Sequence, residues 1–431
     1  MAVVDRPAAM RRTRSAVGFN PAVLDALNFL LADVRGALGP YLNVFLVSDL
    51  HWSRAAVGLI TMVGGWLGLA IQAPIGAAID ATRAKRTLVV ASLFVLAIGA
   101  SAIYLQPSFW TVMVANSAIS IVGDVFGPAV AAITLGIYGH ARLARRMGRN
   151  SAFDHAGNVA IAAAAGAVGW AVSQRAVFLL VPVFSVLSMI ATLSIPAAAI
   201  DHDRARGKQP TDGEQGELSG FSVLLTCRPL LAYSACAMMF HFANAPLLPL
   251  VGQKLALAHP ALATAMMSSC IIAAQVIMLL IALWVGRTAD TWGRKPILLI
   301  GFGILPLRAA LYTFSDNASW LVGVQLLDGI GAGIFGTITP LVLADLMRGT
   351  GRYNAGQGAV AMLQGVGAST SGLVSGLIVD YFGYSVAFLE ASAAAGIAFG
   401  ALAILMPETG HCVCSSPKID AAELVSDRVS G

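Results

Sequence analysis

Apolar runs of about twenty residues recur from one end of this chain to the other, joined by stretches too short to fold alone. A helix of that length rises about 30 Å, the thickness of a bilayer's hydrocarbon core. The runs read as spans near 22–47, 55–78, 87–106, 109–138, 151–173 and 176–200, then 229–252, 262–285, 296–314, 320–344, 356–379 and 385–406. Hydrophobic residues make up 57% of the 431 and charged ones 11%. A soluble domain carries about 25% charge, so this much apolar surface needs lipid to cover it. The expected fold class is all-α and membrane-embedded, with twelve transmembrane helices in two six-helix bundles.

The polar remainder sets the boundaries. Residues 1–20 read as a basic tail, 21–200 as the first bundle, 201–228 as a linker, 229–407 as the second bundle and 408–431 as a second tail. The linker holds DHDRARGKQPTDGEQGELSG, too polar to pack by itself. Its end, LSGFSVLL, suits an amphipathic segment lying on a membrane surface. With the N-terminus inside, 22 of the 27 Lys and Arg fall in cytoplasmic loops and tails. Arg54, Arg175 and Lys254 fall on the opposite side, and Arg35 and Arg308 inside spans. That asymmetry places both termini in the cytoplasm of a bacterial-type inner membrane. The net charge of +5 is dispersed over short loops, so no nucleic-acid surface is expected. The five cysteines form no disulfide pattern.

One loop carries a motif. Gly286 to Lys295 reads GRTADTWGRK, between the apolar flanks AAQVIMLLIALWV and PILLIGFGIL. A second copy, Gly76-Ala-Ala-Ile-Asp80 followed by Lys85-Arg86, stands 210 positions earlier. Gly148-Arg149 likewise anticipates Gly351-Arg352. Read at the constant offset, the first copy has Arg83 for the second Gly and Ala84 for the Arg. Two six-helix halves related by duplication, with this loop between their second and third helices, resemble the major facilitator superfamily over residues 21–407. The resemblance implies a conformational latch of Gly76, Asp80, Arg86, Gly286, Asp290, Gly293, Arg294 and Lys295. In it the Asp caps a helix of the opposite half, with Arg294 and Lys295 as partners. The alternative is that both loops are positive-inside anchors, a task an Asp does not help.

Ionisable residues at bilayer depth cost about 2.5 kcal/mol or more, so each is a functional candidate. By the resemblance, the first, fourth, seventh and tenth spans line a central cavity. The first carries Asp33 and Arg35, two apart and pointing to different sides. Counting at 1.5 Å per residue puts Arg35 about 21 Å and Asp124 about 24 Å from the cytoplasmic ends of their helices, depths that suit an ion pair. Asp33 is then the freer carboxylate, facing His241 of the seventh span at a similar depth of about 18 Å. Asn244, Pro246 and Pro249 follow His241, so that helix is expected to break there. Arg308 and Asp328 match in depth and are expected to pair, with Gln325 one turn away. The glycines Gly329, Gly331, Gly333 and Gly336 suit close helix packing. His155 and Asn158 of the fifth span and Gln364 of the eleventh complete the candidate substrate- and proton-binding set. Asp154, near the cytoplasmic end, is expected to meet the Arg145–Arg149 cluster. All of these have the alternative reading of hydrogen-bonded packing residues.

No phosphate-binding loop, nucleotide fingerprint or nucleophile triad is present, so neither ATP-driven pumping nor enzyme chemistry is expected, and no cofactor. His411, Cys412 and Cys414 are three soft-metal donors on a tail, too sparse a set for a metal site. The function expected is secondary active transport of a small molecule by alternating access, as a monomer, by proton-coupled efflux. The resemblance is nearest to bacterial drug and metabolite antiporters. Their Gly-Pro-x-x-Gly-Gly motif is replaced here by AAGAVGW, with Gly166 and Gly169 but no Pro. Proton-coupled uptake is therefore the alternative, and a non-transporting receptor or scaffold a second one.

Overall fold

The computed structural model describes residues 19–32, 38–205, 227–347 and 353–409. Its helices are α1 (Pro21–Leu31), α2 (Gly39–Ser48), α3 (Arg54–Ala81), α4 (Lys85–Leu105), α5 (Phe109–Tyr138), α6 (His140–Ala171) and α7 (Leu180–Ser194). The second half gives α8 (Arg228–Asn244), α9 (Leu247–Ala258), α10 (Ala263–Trp292), α11 (Arg294–Leu311), α12 (Ala318–Leu346), α13 (Tyr353–Phe382) and α14 (Tyr384–Leu405). With α1–α2 and α8–α9 each read as one interrupted span, the helices make twelve crossings in two bundles. Among the described residues, nine helices are long and apolar enough to cross a membrane. The other three crossings depart for visible reasons. Residues 33–37 separate α1 from α2. Asp154, His155 and Asn158 dilute α6, and Arg294, Lys295 and Arg308 charge α11.

Short connections reverse the chain at each step, so helix ends collect on two faces. We call the one where α1 begins and α14 ends the termini face, and the other the far face. Leucine, isoleucine and valine fill two apolar cores, one centred in each half, the first extended across the seam by Ala256, Ala263, Met267 and Ile271 of α9 and α10. Outward, Phe94, Ile98, Ile190, Leu280, Leu307 and Ile397 each remain more than half exposed, which only lipid can cover. Trp110, Trp170 and Tyr381 are exposed at helix ends on the far face, where interfacial aromatics belong.

Two boundaries differ from the sequence reading. The fifth crossing begins at His140 rather than 151, because the polar stretch up to Asn150 continues the helix unbroken from Gly139, whose φ of 69° ends α5. The two loop copies are also not in constant register. One residue, Gly293, turns α10 into α11 with φ +89°, a backbone that glycine adopts readily. The first copy has no glycine there and uses three residues, 82–84. Lys85 therefore opens α4 as Arg294 opens α11, which corrects the pairing of Arg294 with Ala84.

Small residues set how the halves meet. Along the α3–α13 seam, Gly376 lies on the Arg54 backbone, Gly58 on Gly372, Gly65 on Ser369 and Gly365 on Leu69. A Cβ added at Gly58 or Gly376 would collide with backbone carbonyl groups. Gly166 and Gly169 on α6 meet Ser268 and Thr264 on α10 in the same manner. These approaches are densest toward the far face. A carboxylate from the second half finishes the seam. Asp380 accepts the backbone N–H of Arg54 at 3.1 Å and of Ala55 at 2.7 Å, capping α3.

Candidate functional site

Behind that seam, toward the termini face, α3, α5 and α13 line an open cavity of about 530 Å³. Among the described residues its polar groups come from Gln72, Asn116, Ser120, Asp124 and Ser369, and no Lys, Arg, His or aromatic residue lines it. A second cavity of about 330 Å³ extends toward the far face and shares Gly65, Asn116, Ser120 and Ser369 with the first. Ala245, Pro246 and Pro249, at the start of α9, line this second cavity. The expected break in the seventh crossing is thus present, at Ala245–Pro246.

Asp124 is half-buried on α5, and Gly68 of α3 lies opposite it, so near that a Cβ there would stand 3.0 Å from Oδ2. Among the described residues no side chain hydrogen-bonds to Asp124 or pairs with it. Its expected partner Arg35, and Asp33, lie outside the described residues.

The second polar cluster is closed. Arg308, 1% exposed, donates through Nη1 to Asp328 Oδ1 at 2.6 Å and Asn244 Oδ1 at 2.7 Å. Nη2 reaches Gln325 Oε1 at 3.1 Å and Nε reaches the Tyr312 hydroxyl at 3.1 Å. Tyr312 donates to Gln325 Oε1 at 2.5 Å, and Gln325 Nε2 to Asp328 Oδ2 at 3.0 Å. Arg308 and Asp328 are in contact as expected, and the network also pins Asn244, the last residue of α8, to α11 and α12. With every member hydrogen-bonded, this is a charge-compensated brace rather than an open site.

The remaining candidates scatter. His241 packs its ring against Phe240 and Phe335, with centroids at 5.6 and 4.8 Å, and its Nδ1 has no hydrogen-bond partner among the described residues. It lines neither cavity. His155 Nδ1 meets Gln275 Oε1 at 2.9 Å across the two halves. Asn158 reaches Asp154 at 3.5 Å, beside a small pocket in the first half. Gln364 is half-buried next to Gly365 but does not line the cavity. The arginine cluster expected to meet Asp154 instead grips Asp25 of α1, through Arg146 at 2.6 Å and Arg149 at 2.7 Å. Of the glycine run on α12, Gly329 and Gly333 pack tightly on α10, whereas Gly336 faces open space.

The loop residues also bind within their own halves. Arg294 pairs with Asp345 at 3.0 Å, and Glu408 caps α11 by accepting the N–H groups of Arg294 and Lys295 at 2.8 and 3.1 Å. Lys295 Nζ reaches the Ala403 carbonyl at 2.8 Å, and Arg86 reaches that of Leu193 at 2.7 Å. Each places a cation at the C-terminal end of a helix, where the dipole favours it. The side chains of Asp80 and Asp290, and the glycine at Gly76, lie outside the described residues. A Cβ added at Gly286 would meet open space.

A sequence profile of the Major Facilitator Superfamily matches residues 24–284 and 230–412, nearly the whole chain. The chain belongs to the Major Facilitator Superfamily. A curated superfamily relative, the uncharacterized MFS-type transporter Rv2456c of Mycobacterium tuberculosis, is 49% identical over 90% of this chain and 93% of its own length. A multi-drug resistance efflux pump PmrA homolog of Lactococcus lactis is 25% identical over 33% of this chain and 34% of its own. The crystal structure of the nucleoside transporter NupG overlays with a TM-score of 0.73 at 15% identity, covering 89% of this chain and 98% of that one. That overlay shows a shared fold. The protein is thus a multi-pass membrane protein among relatives named as transporters.

Proposed function

We propose that this protein is a proton-coupled secondary transporter that exports a small molecule by alternating access, with both termini in the cytoplasm of a bacterial-type inner membrane. The observation that carries the reading is Asp124. It is a carboxylate without a described partner, in a cavity between two bundles that close on each other toward the far face. A solute in that cavity meets residues of both halves, so rocking the halves about it would change the side to which it is exposed. Asp124 is assigned to the substrate, and Asp33 to the proton it exchanges against, because the carboxylate of Asp328, deep in the second half, is neutralised by Arg308. The PmrA homolog's name supports export, and the Lys and Arg asymmetry supports the orientation. The latch of Asp80 and Asp290 is retained as part of the proposal, with Arg86, Arg294 and Lys295 holding the helix ends on either side.

The test is current on solid-supported membranes carrying reconstituted protein, with a panel of small solutes applied under an imposed pH gradient. Solute-dependent proton movement supports the proposal, and its sign separates export from proton-coupled uptake. Solute binding with no flux under any gradient would leave a receptor or scaffold.

A further inference from the structure

We infer that the cavity beside Asp124 takes a small hydrophilic organic cation, a protonated amine carried on a hydroxyl-bearing skeleton. The site is that of the transport proposal, and the inference adds the chemical class of its occupant.

Charge comes first. Among the described residues the cavity's one ionisable group is the Asp124 carboxylate, and no cation lines its walls. Arg308 cannot offset it, being committed to Asp328 within the second bundle. An uncompensated carboxylate at bilayer depth is costly, and a ligand ammonium at hydrogen-bond distance offsets that cost directly. An anionic ligand would add to it. Gly68 leaves the carboxylate reachable, since any larger residue would press on Oδ2.

The rest of the wall selects for hydroxyls. Ser120 and Ser369 each bring a hydroxyl, and Gln72 a carboxamide. Asn116 already donates Nδ2 to the Ile60 carbonyl at 3.2 Å, which leaves its Oδ1 to accept from a ligand. The adjoining cavity continues this chemistry with Thr61 and Gln253, and its one described cation, Arg54, lies 3.8 Å from the Asp380 carboxylate. Among the described residues neither lining contains an aromatic ring, the group that holds flat or quaternary cations by their faces. Lipophilic aromatic cations are therefore poor occupants. At about 530 Å³ the space falls within the ordinary range of small-molecule sites, about 300–1,000 Å³.

The experiment uses four probes on full-length protein in nanodiscs: N-methylglucamine, sorbitol, gluconate and tetraphenylphosphonium. The first three share a polyol chain and differ in charge, and the fourth is a cation without hydroxyls. Calorimetric binding should rank N-methylglucamine at least about tenfold above the other three. Asp124→Asn should weaken it about ten- to a hundredfold, the worth of one hydrogen bond to a charged group, and leave sorbitol unchanged. Asp124→Glu, which keeps the charge, should retain the ranking. If Asp124→Asn cannot be purified folded, the wild-type ranking and Asp124→Glu decide. Absent N-methylglucamine binding, sorbitol or gluconate binding equally well, a preference for tetraphenylphosphonium, or indifference to Asp124→Asn would each overturn the inference. Flux of sorbitol or gluconate under a pH gradient would overturn the class and keep transport. The predicted ranking without flux would keep the class and remove transport.

Discussion

Asp380 supplies a direct handle on which face is closed. Its carboxylate, from the end of α13 in the second half, accepts two backbone N–H groups at the start of α3 in the first. The Arg54 guanidinium lies 3.8 Å away, and the two side chains are 29% and 20% exposed. On the alternating-access proposal this cap breaks when the far face opens, so its free energy counts toward one conformation and not the other. A capping side chain is worth about 1 kcal/mol. The charge at a helix N-terminus adds about 0.3–1 kcal/mol, while the part-exposed Arg54 pair contributes little. Asp380→Asn removes the charge and one of the two acceptors, for a shift of about 1–1.5 kcal/mol, or roughly five- to tenfold in the equilibrium. The assay is the distance between spin labels at Gln106 and Tyr381, exposed far-face positions in different halves. The variant should enlarge a longer-distance population by about that factor. An unchanged distribution would refute the claim that the cap holds the far face closed.

Other outcomes follow from the same geometry. Arg308→Ala or Asp328→Ala alone should cost about 3–5 kcal/mol in thermal or denaturant stability, because each strands a buried charge, and the double variant should recover much of it. Purely additive losses would show that the brace is not one unit. For Arg35→Ala and Asp124→Ala, by contrast, the amine inference requires additive losses. Recovery in their double variant would reveal an Arg35–Asp124 pair and count against the amine inference. Asp290→Asn should slow turnover while leaving ligand affinity within a few-fold, as expected of a group that sets the balance of states, and wild-type turnover would remove it from the latch.

Much of the architecture was legible because bilayer thickness fixes span length, so counting apolar runs located every crossing. The Arg308–Asp328 contact was legible for the same reason, as depth along two helices is simple arithmetic. What escaped were features set by helix rotation and by partners distant in sequence. Asn116, Ser120 and Ser369 look like ordinary small polar residues in apolar helices until α3, α5 and α13 turn them to one space. Asp380 and Glu408 read as span-end carboxylates, and nothing local says that each caps a different helix. Asp25 was overlooked because the arginine cluster had a nearer acid in sequence, Asp154. The register of the first loop copy was missed because a constant offset ignores how many residues a turn without glycine needs. His241, prominent in the sequence, proved to pack against phenylalanine rings instead of lining the cavity.

The most direct test of the account is accumulation of N-methylglucamine in proteoliposomes against its own gradient, driven by an imposed pH difference. Wild-type protein should accumulate it. Asp33→Asn should exchange it without net accumulation, having lost the proton but kept the ligand carboxylate. Asp124→Asn should do neither. Uphill accumulation that survives Asp124→Asn would contradict the assignment of this cavity as the transport site.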